Sequence, residues 1–535
     1  MKNPFKKVPH TYVIIFALIV LAAICTWFVP AGEFDRQLAR TQNGKIIEQT
    51  IGGSYHRVAQ QPQTWQVMGA FFKGFQKVPA IIVFLLILGG AFWILNETKA
   101  IDMGVQSFLA KSNLLERFRF FKWIGINNLI IVLIMVMFSS FGAIFGMSEE
   151  TIAFVIIFVP LAISMGYDSI VGVCMCFLAA GLGFAGCILN PFTLGIAQDI
   201  AGIKMFSGIE YRIAMWIVIT TIGIAYVLWY ANKIKKNPRS SIMYEQDNYW
   251  RQNQSNTQNI QAISANRGTW LSYLLCTLTM IGFTIYVGMD YVEFNGGLKT
   301  YILLLCLTIL FTFLGYRAAK KSIQVFCLLI LITTIVFLIV GVMVFSWEFM
   351  QIAALFFSMA IVCGIALGKD ASEISKLFIA GAKDMLSAAM VVGLASGIII
   401  ILEDGKIIDT FLNGVASSIN GSGKVGALTL MYGFQSLLNA IITSGTAKAA
   451  MLMPMFREIA NMVGLPLQSA VTAFHIGDGF TNLITPTSGV LIGVLGLARI
   501  PYAKWFRWAW KFILFLVILG WALLLPTVLI PLPGF

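Results

Sequence analysis

Charge is scarce in this 535-residue chain: 11% of residues are Asp, Glu, Lys or Arg, 58% are hydrophobic, and the mean hydropathy is +0.84. A water-soluble domain of this size needs more polar surface. Apolar runs long enough to cross a bilayer recur throughout, so the composition points to a polytopic α-helical membrane protein. There are only three histidines, and the eight cysteines all fall in apolar segments. They give neither a disulfide framework nor a metal-ligand spacing, and Cys174-Met-Cys176 reads as packing. No Gly-x-x-x-x-Gly-Lys-Ser/Thr loop occurs, which argues against an ATP-driven pump. No nucleophile–base pair or metal cluster stands out in the apolar segments, so an enzyme is disfavoured and no organic cofactor is expected. The net charge of +13 could suggest nucleic acid. The basic residues lie in short loops between spans, however, and orientation explains them better.

In chain order, Lys2, Lys6 and Lys7 precede a first span, Thr11 to Pro30, too long for a signal peptide and without a clear cleavage site. A polar outer loop from Ala31 to about Gln63 leads into an amphipathic stretch and a second span, Pro79–Asn96. A basic segment with Lys99, Lys111, Arg117, Arg119 and Lys122 follows. Residues 1–232 are expected to form a first repeat, with a hairpin near 123–165 and a broken helix over 169–203. The hairpin is either two full spans or one re-entrant element. The break rests on Gly181, Gly183, Gly186 and Asn190-Pro191, because proline removes a helix hydrogen bond and glycine weakens the helix. Residues 233–267 read as a flexible cytoplasmic linker. Residues 268–345 supply additional scaffold helices, and 346–535 a second repeat with a hairpin near 425–464 and a broken helix over 468–498.

The repetition is visible in the residues. Ile94-Leu-Asn-Glu-Thr-Lys99-Ala-Ile101-Asp102 recurs as Ile401-Leu-Glu-Asp-Gly-Lys406-Ile-Ile408-Asp409. Phe71 and Gly74 match Phe378 and Gly381, Pro160 matches Pro454, and Asn190-Pro191 matches Thr485-Pro486. Counting eleven crossings and two hairpins places the Lys/Arg excess, with the N-terminus, in the cytoplasm. The two repeats then have opposite orientation. In such inverted repeats, broken helices meet at the midplane around a substrate site.

The chemistry is expected at the four breaks. Phe145-Gly-Met-Ser-Glu-Glu-Thr151 puts two carboxylates at membrane depth, where one charge costs about 2.5–3.5 kcal/mol on insertion scales. The candidate substrate- or ion-binding residues are Ser148, Glu149, Glu150 and Thr151 at the first tip, and Asn190 and Thr193 at the first break. The second tip supplies Thr443, Ser444, Gly445, Thr446 and Lys448; the second broken helix supplies Asp478, Asn482, Thr485, Thr487 and Ser488. Adjacent helical residues point about 100° apart, so Glu149 and Glu150 should have different tasks. Helix N-termini at the tips suit a carboxylate, and exposed carbonyls and hydroxyls suit Na⁺. Lys448 could meet a substrate carboxylate or pair structurally, and Gly477-Asp-Gly479 could be only a turn. His475 reads as a packed histidine, and Arg212 and Arg507 as headgroup anchors.

On these residues the chain resembles the YfcC family of the C4-dicarboxylate anaerobic carrier-like transporters. The matching motifs are Pro9-His-Thr-Tyr-Val-Ile-Ile-Phe, Trp27-Phe-Val-Pro-Ala-Gly32, Phe145-Gly-Met-Ser-Glu-Glu150, Asn190-Pro191-Phe, Thr443-Ser-Gly445, Gly477-Asp-Gly-Phe480 and Pro486-Thr-Ser488. The resemblance implies an inner-membrane secondary carrier of the kind labelled a basic amino-acid antiporter. It also implies the ion-transporter superfamily fold, with a dimeric scaffold and hairpin domains that move elevator-fashion. Lys448 departs from it, placing a cation where a neutral side chain is expected, which speaks against a purely cationic substrate. The Trp270–Tyr316 pair looks like an addition beside the scaffold. The expected function is secondary transport of amino acids, basic ones foremost, coupled to H⁺, Na⁺ or a counter-substrate. C4-dicarboxylates, acidic amino acids or short peptides are the alternatives, and a passive channel is the alternative of another class.

Overall fold

The computed structural model describes all residues except 1–10, 41–45, 52, 102, 105, 106, 108–124, 256–261, 290–297, 346 and 420–422. The N-terminal lysines, Asp102 and the basic positions Lys111, Arg117, Arg119 and Lys122 lie outside the described residues. In order, the elements are α1 (Thr11–Phe28), β1 (Gly32–Glu33), β2 (Arg36–Arg40), β3 (Ile46–Thr50), β4 (His56–Arg57), α2 (Gln66–Lys77) and α3 (Pro79–Glu97). Next come α4 (Ile126–Phe145), α5 (Thr151–Ser164), α6 (Ser169–Gly186, with a π turn at Cys174–Leu178), α7 (Ile196–Ala201) and α8 (Ile209–Lys236). They are followed by α9 (Asn248–Ser255), α10 (Arg267–Met289), α11 (Leu298–Lys321), α12 (Ile323–Phe345), α13 (Phe349–Ala366) and α14 (Ala371–Asp404). The chain ends with α15 (Ile408–Ile419), α16 (Lys424–Leu438), α17 (Gly445–Val463), α18 (Leu467–Asn482), α19 (Gly489–Leu497), α20 (Tyr502–Leu524) and α21 (Pro526–Leu529).

Ten helices among the described residues are long and apolar enough to cross a membrane. Most are apolar all round, as a helix must be when one side meets lipid and the other a protein core. The all-α expectation needs one addition. The loop after α1 forms two antiparallel strand pairs, β1 with β4 and β2 with β3. The loop is tied down at its ends. Asp409 accepts from the Phe34 N–H at 3.1 Å and from Arg36 at 3.3 Å, and Thr50 donates to the Met451 carbonyl of α17 at 2.8 Å.

Two groups of helices are distinguishable by their packing. The long α14 lies along α1, α2 and α3, and α13 packs on α3. The other group holds α4 to α8 and α16 to α20. Within it α4 crosses α6 so closely that a Cβ on Gly142 or Gly183 would strike a backbone carbonyl of the facing helix, the small-residue contact that membrane helices use. The α10–α11 pair joins the first group. Ser272 donates to the Val362 carbonyl of α13 at 2.9 Å, and Thr284 and Thr308 bond each other at 2.8 Å. The two groups meet where α19, which also packs on α5, contacts α3 and α14.

The segment after α8, expected to be a flexible connector, is folded and docked. Residues 237–255 contain a 3-10 turn, Pro238–Ser240, and α9, which packs on α5. Ser241 donates to Asp168 at 2.6 Å, Asp247 accepts from the Ser169 N–H at 2.9 Å, and Trp250 donates to the Ala498 carbonyl at 3.3 Å. Tyr249 lies under the Arg499 guanidinium at 3.9 Å. These aromatic and capping contacts outweigh the Asn/Gln/Ser-rich composition of the segment.

Candidate functional site

The first hairpin is α4 and α5 joined at residues 146–150. The turn works because Gly146 has φ +68, and because a Cβ there would sit 2.5 Å from the Asn190 side chain. Glu150 is buried, and its carboxylate accepts from the Ser148 N–H at 3.1 Å. Thr151 donates back to the Ser148 carbonyl. Glu149 is half-buried and lies within electrostatic range of Asp478. The two carboxylates therefore differ: Glu150 folds onto its own tip, whereas Glu149 makes no side-chain hydrogen bond to another residue among the described residues and lies near Asp478 of α18.

The first break follows α6. The N–H groups of Ile188 and Leu189 donate to the Ala143 carbonyl of α4 at 2.9 and 3.0 Å, fastening the break to the tip. Asn190 donates to Thr193 Oγ1 at 2.8 Å, and Thr193 Oγ1 lies 3.2 Å from His475 Nδ1. His475 Nε2 is 2.7 Å from the Phe184 carbonyl. A carbonyl can only accept, so Nε2 carries a proton; in the neutral ring Nδ1 then accepts from the Thr193 hydroxyl. His475 of α18 thus bonds both to the first break and to α6, stacked on Phe184 with ring centroids 4.9 Å apart.

The second tip, residues 439–444, joins α16 to α17. Lys448, one turn into α17, is completely buried and donates to both Asp478 and Asn439. Asn439 in turn donates to the Asp478 carbonyl at 3.1 Å and to Thr481 at 2.7 Å, and Asn482 donates to Asp478 at 3.3 Å. Asp478 lies inside α18 rather than in a turn, because the flanking glycines continue the helix. Each glycine admits a neighbour: Gly477 faces Gln435, and Gly479 faces Ala185. A Cβ on Gly445 would meet Thr193 at 2.5 Å and Asp478 Oδ2 at 2.9 Å, so the second tip seats directly on the first break.

At the second break, Thr487 donates to the Ala440 carbonyl of the second tip at 2.9 Å. Ser488 caps α19 by accepting from Leu491 N at 3.3 Å, and Ser444 caps α17 by accepting from Ala447 N at 3.4 Å. Thr485 is buried beside them, and Thr443 and Thr446 are half-buried. The structure thus gathers both tips and both breaks, but several candidates already have local work. Four buried polar atoms there, Asp478 Oδ2, Asn482 Oδ1 and both the oxygen and the nitrogen of the Gln435 amide, have no hydrogen-bond partner among the described residues. Three oxygens suit water or Na⁺ rather than a soft metal, and the amide N–H group suits water.

Of the two readings of Lys448, pairing with a carboxylate is the one seen: it is held by Asp478 and Asn439. One expectation needs correction. Arg212 is not a headgroup anchor. It is 1% exposed and donates to the carbonyls of Ile188, Phe206 and Ser207, closing the exposed end of α6 from the start of α8. A cation there complements the negative end of the helix dipole. Gln435 and Asn439 were missed altogether. Both are amides inside an apolar run, a signal that polar residues in membrane helices usually carry.

The geometry can be set beside known proteins. The family profile of the C4-dicarboxylate anaerobic carrier matches residues 8–327 and 317–529. YfcC of Escherichia coli (strain K12), provisionally named a basic amino acid antiporter, is 30% identical over 93% of this chain and 92% of its own. A Haemophilus influenzae protein without an assigned function is 26% identical over 97% of each. Among solved structures, the Alcanivorax borkumensis YdaH transporter aligns over 96% of this chain and 97% of its own, with TM-score 0.36 and 14% identity. Neisseria gonorrhoeae MtrF aligns over 99% and 98%, with TM-score 0.37 and 14% identity.

Proposed function

The chain belongs to the C4-dicarboxylate anaerobic carrier family, a family of membrane transporters, and on that footing we propose that it exchanges basic amino acids across a bacterial cytoplasmic membrane. The observation that carries the substrate class is the charge left over at the tips. Lys448 and Asp478 cancel one another, which leaves Glu149 and Glu150 with no basic side chain bonded to them among the described residues. Arg212 is turned onto three carbonyls. A loaded site that crosses a low-dielectric barrier must be nearly neutral. Two carboxylates are balanced by one basic amino acid, net +1, and one further cation, either H⁺ or Na⁺.

A dicarboxylate would raise the negative charge and find no free cation at the second tip. The serine caps on α17 and α19 also occupy N–H groups that such an anion would use. We read the α4–α8 and α16–α20 group as the moving part and the α14-centred group, a homodimeric scaffold, as the fixed part.

The test is counterflow in proteoliposomes. Arginine-loaded vesicles should take up labelled arginine faster than empty ones, with saturation and without a continuous current. Uptake of labelled succinate instead would overturn the substrate class. A sustained arginine current would make the protein a channel.

A further inference from the structure

A cavity of about 220 Å³ lies at the seam between the two helix groups, away from the tips. Its walls come from the C-terminal end of α3, from α5, from the docked segment that carries α9, and from α14 and the end of α19. Four charged side chains line it. Arg499 and Asp384 already form an ion pair at 2.7 Å. Glu97 and Lys99 have no ion pair or side-chain hydrogen bond among the described residues.

Glu97 is the last residue of α3, where the helix dipole disfavours a carboxylate. Lys99 follows that helix end in a left-handed turn, φ +56, and Lys406 ends α14 in the same way, φ +52. Their surroundings differ: Lys406 pairs with Glu33 at 3.1 Å, whereas Lys99 lines the cavity and pairs with no carboxylate among the described residues.

We propose that this seam cavity is a binding site for a small zwitterion with an apolar or aromatic side chain. Glu97 would take the ammonium group and Lys99 the carboxylate, each by a charge-assisted hydrogen bond. Trp93 from α3 and Trp250 from α9 supply flat apolar walls for the side chain. The volume is below the usual range of drug-sized sites, which restricts the ligand to roughly amino-acid size. A pure anion or pure cation would leave one of the two free charges unmatched. The site is distinct from the tips and does not depend on which substrate they carry.

The test is calorimetric titration of the full-length protein in lipid nanodiscs with L-phenylalanine, phenylacetate and phenethylamine. These share a ring and differ only in charge. L-phenylalanine should bind roughly tenfold or more tighter than either, one charge-assisted bond being worth about 1.5–3 kcal/mol. Glu97→Gln should bring it down to the level of phenylacetate, and Lys99→Met to that of phenethylamine. Both substitutions are at exposed positions, so the fold survives them. Equal binding of the three compounds, no saturable binding, or L-phenylalanine affinity unchanged in both variants would overturn the proposal.

Discussion

At the first tip Glu149 and Glu150 meet no basic side chain among the described residues, and Glu150 accepts from a backbone amide, whereas the second tip surrounds Asp478 with Lys448, Asn439 and Asn482. Both tips pack against the same break at Asn190 and Thr193. The difference separates a charge that folding has already balanced from one that is left for something mobile. A buried pair with extra hydrogen bonds is fixed, because removing either partner strands the other. An acid that meets no basic side chain can exchange a proton or a ligand cation without dismantling the fold.

The largest effect should follow from breaking the balanced side. Lys448→Met leaves Asp478 ionised and unpaired in the core, a loss of about 3–5 kcal/mol for a fully buried pair. The expected outcome is a marked fall in the thermal midpoint of the purified protein. Adding Asp478→Asn should restore most of it, since the stranded charge is then gone. A single variant as stable as wild type would show that the pair is not what holds α17 on α18.

The unbalanced side should behave in the opposite way, losing function while keeping the fold. Glu149→Gln removes a carboxylate that lies near Asp478 with no hydrogen bond to another residue among the described residues, and transport should fall by roughly tenfold or more, the value of one hydrogen bond to a charged group. Glu150→Gln should do less. Its amide oxygen can still accept from the Ser148 N–H, which is the bond the carboxylate makes. The measurement is initial arginine uptake at equal reconstituted protein. Equal losses from the two variants would mean that their different surroundings do not matter.

Much of this contrast was legible in the sequence, and the limits have physical reasons. Glycine and proline mark the breaks, because they act on the backbone at their own position. The adjacent carboxylates between two apolar arms are a local signal as well. Lys448 with Asp478 is a contact between different helices, and nothing local to either residue reveals it. The same holds for Arg212, whose partners depend on how residues 206–208 fold back over it. His475 was expected to be packed, and it is buried, but its hydrogen bonds to Thr193 and Phe184 also join α18 to the first break and to α6. The docked segment misled through its composition. Tyr249 and Trp250 sit among Asn, Gln and Ser, and two aromatic anchors suffice to hold what the average predicts to be loose.

The smallest effect concerns that segment, the counterpart outside the membrane of the acids at the first tip. Asp247 is 1% exposed, and burial pushes its carboxyl up to about 6, although the Ser169 N–H and Arg251 favour its charged form. Asp168 lies close enough to raise it further. With the segment undocked, the carboxyl returns to an ordinary value of about 3.9. The docked state therefore binds the proton more readily, and docking weakens as pH rises from about 4 to about 6, then levels off. Between pH 5 and pH 7 this two-site comparison gives roughly a tenfold loss in the docking equilibrium. Amide hydrogen exchange over residues 237–255, corrected for its intrinsic pH dependence, should show protection lower by about that factor at pH 7. Asp247→Asn keeps an acceptor for the Ser169 N–H and removes the titration, so its protection should be flat over the same range. A wild-type profile as flat as the variant's would mean that Asp247 stays charged when docked, with Arg251 supplying the balance that the first tip lacks.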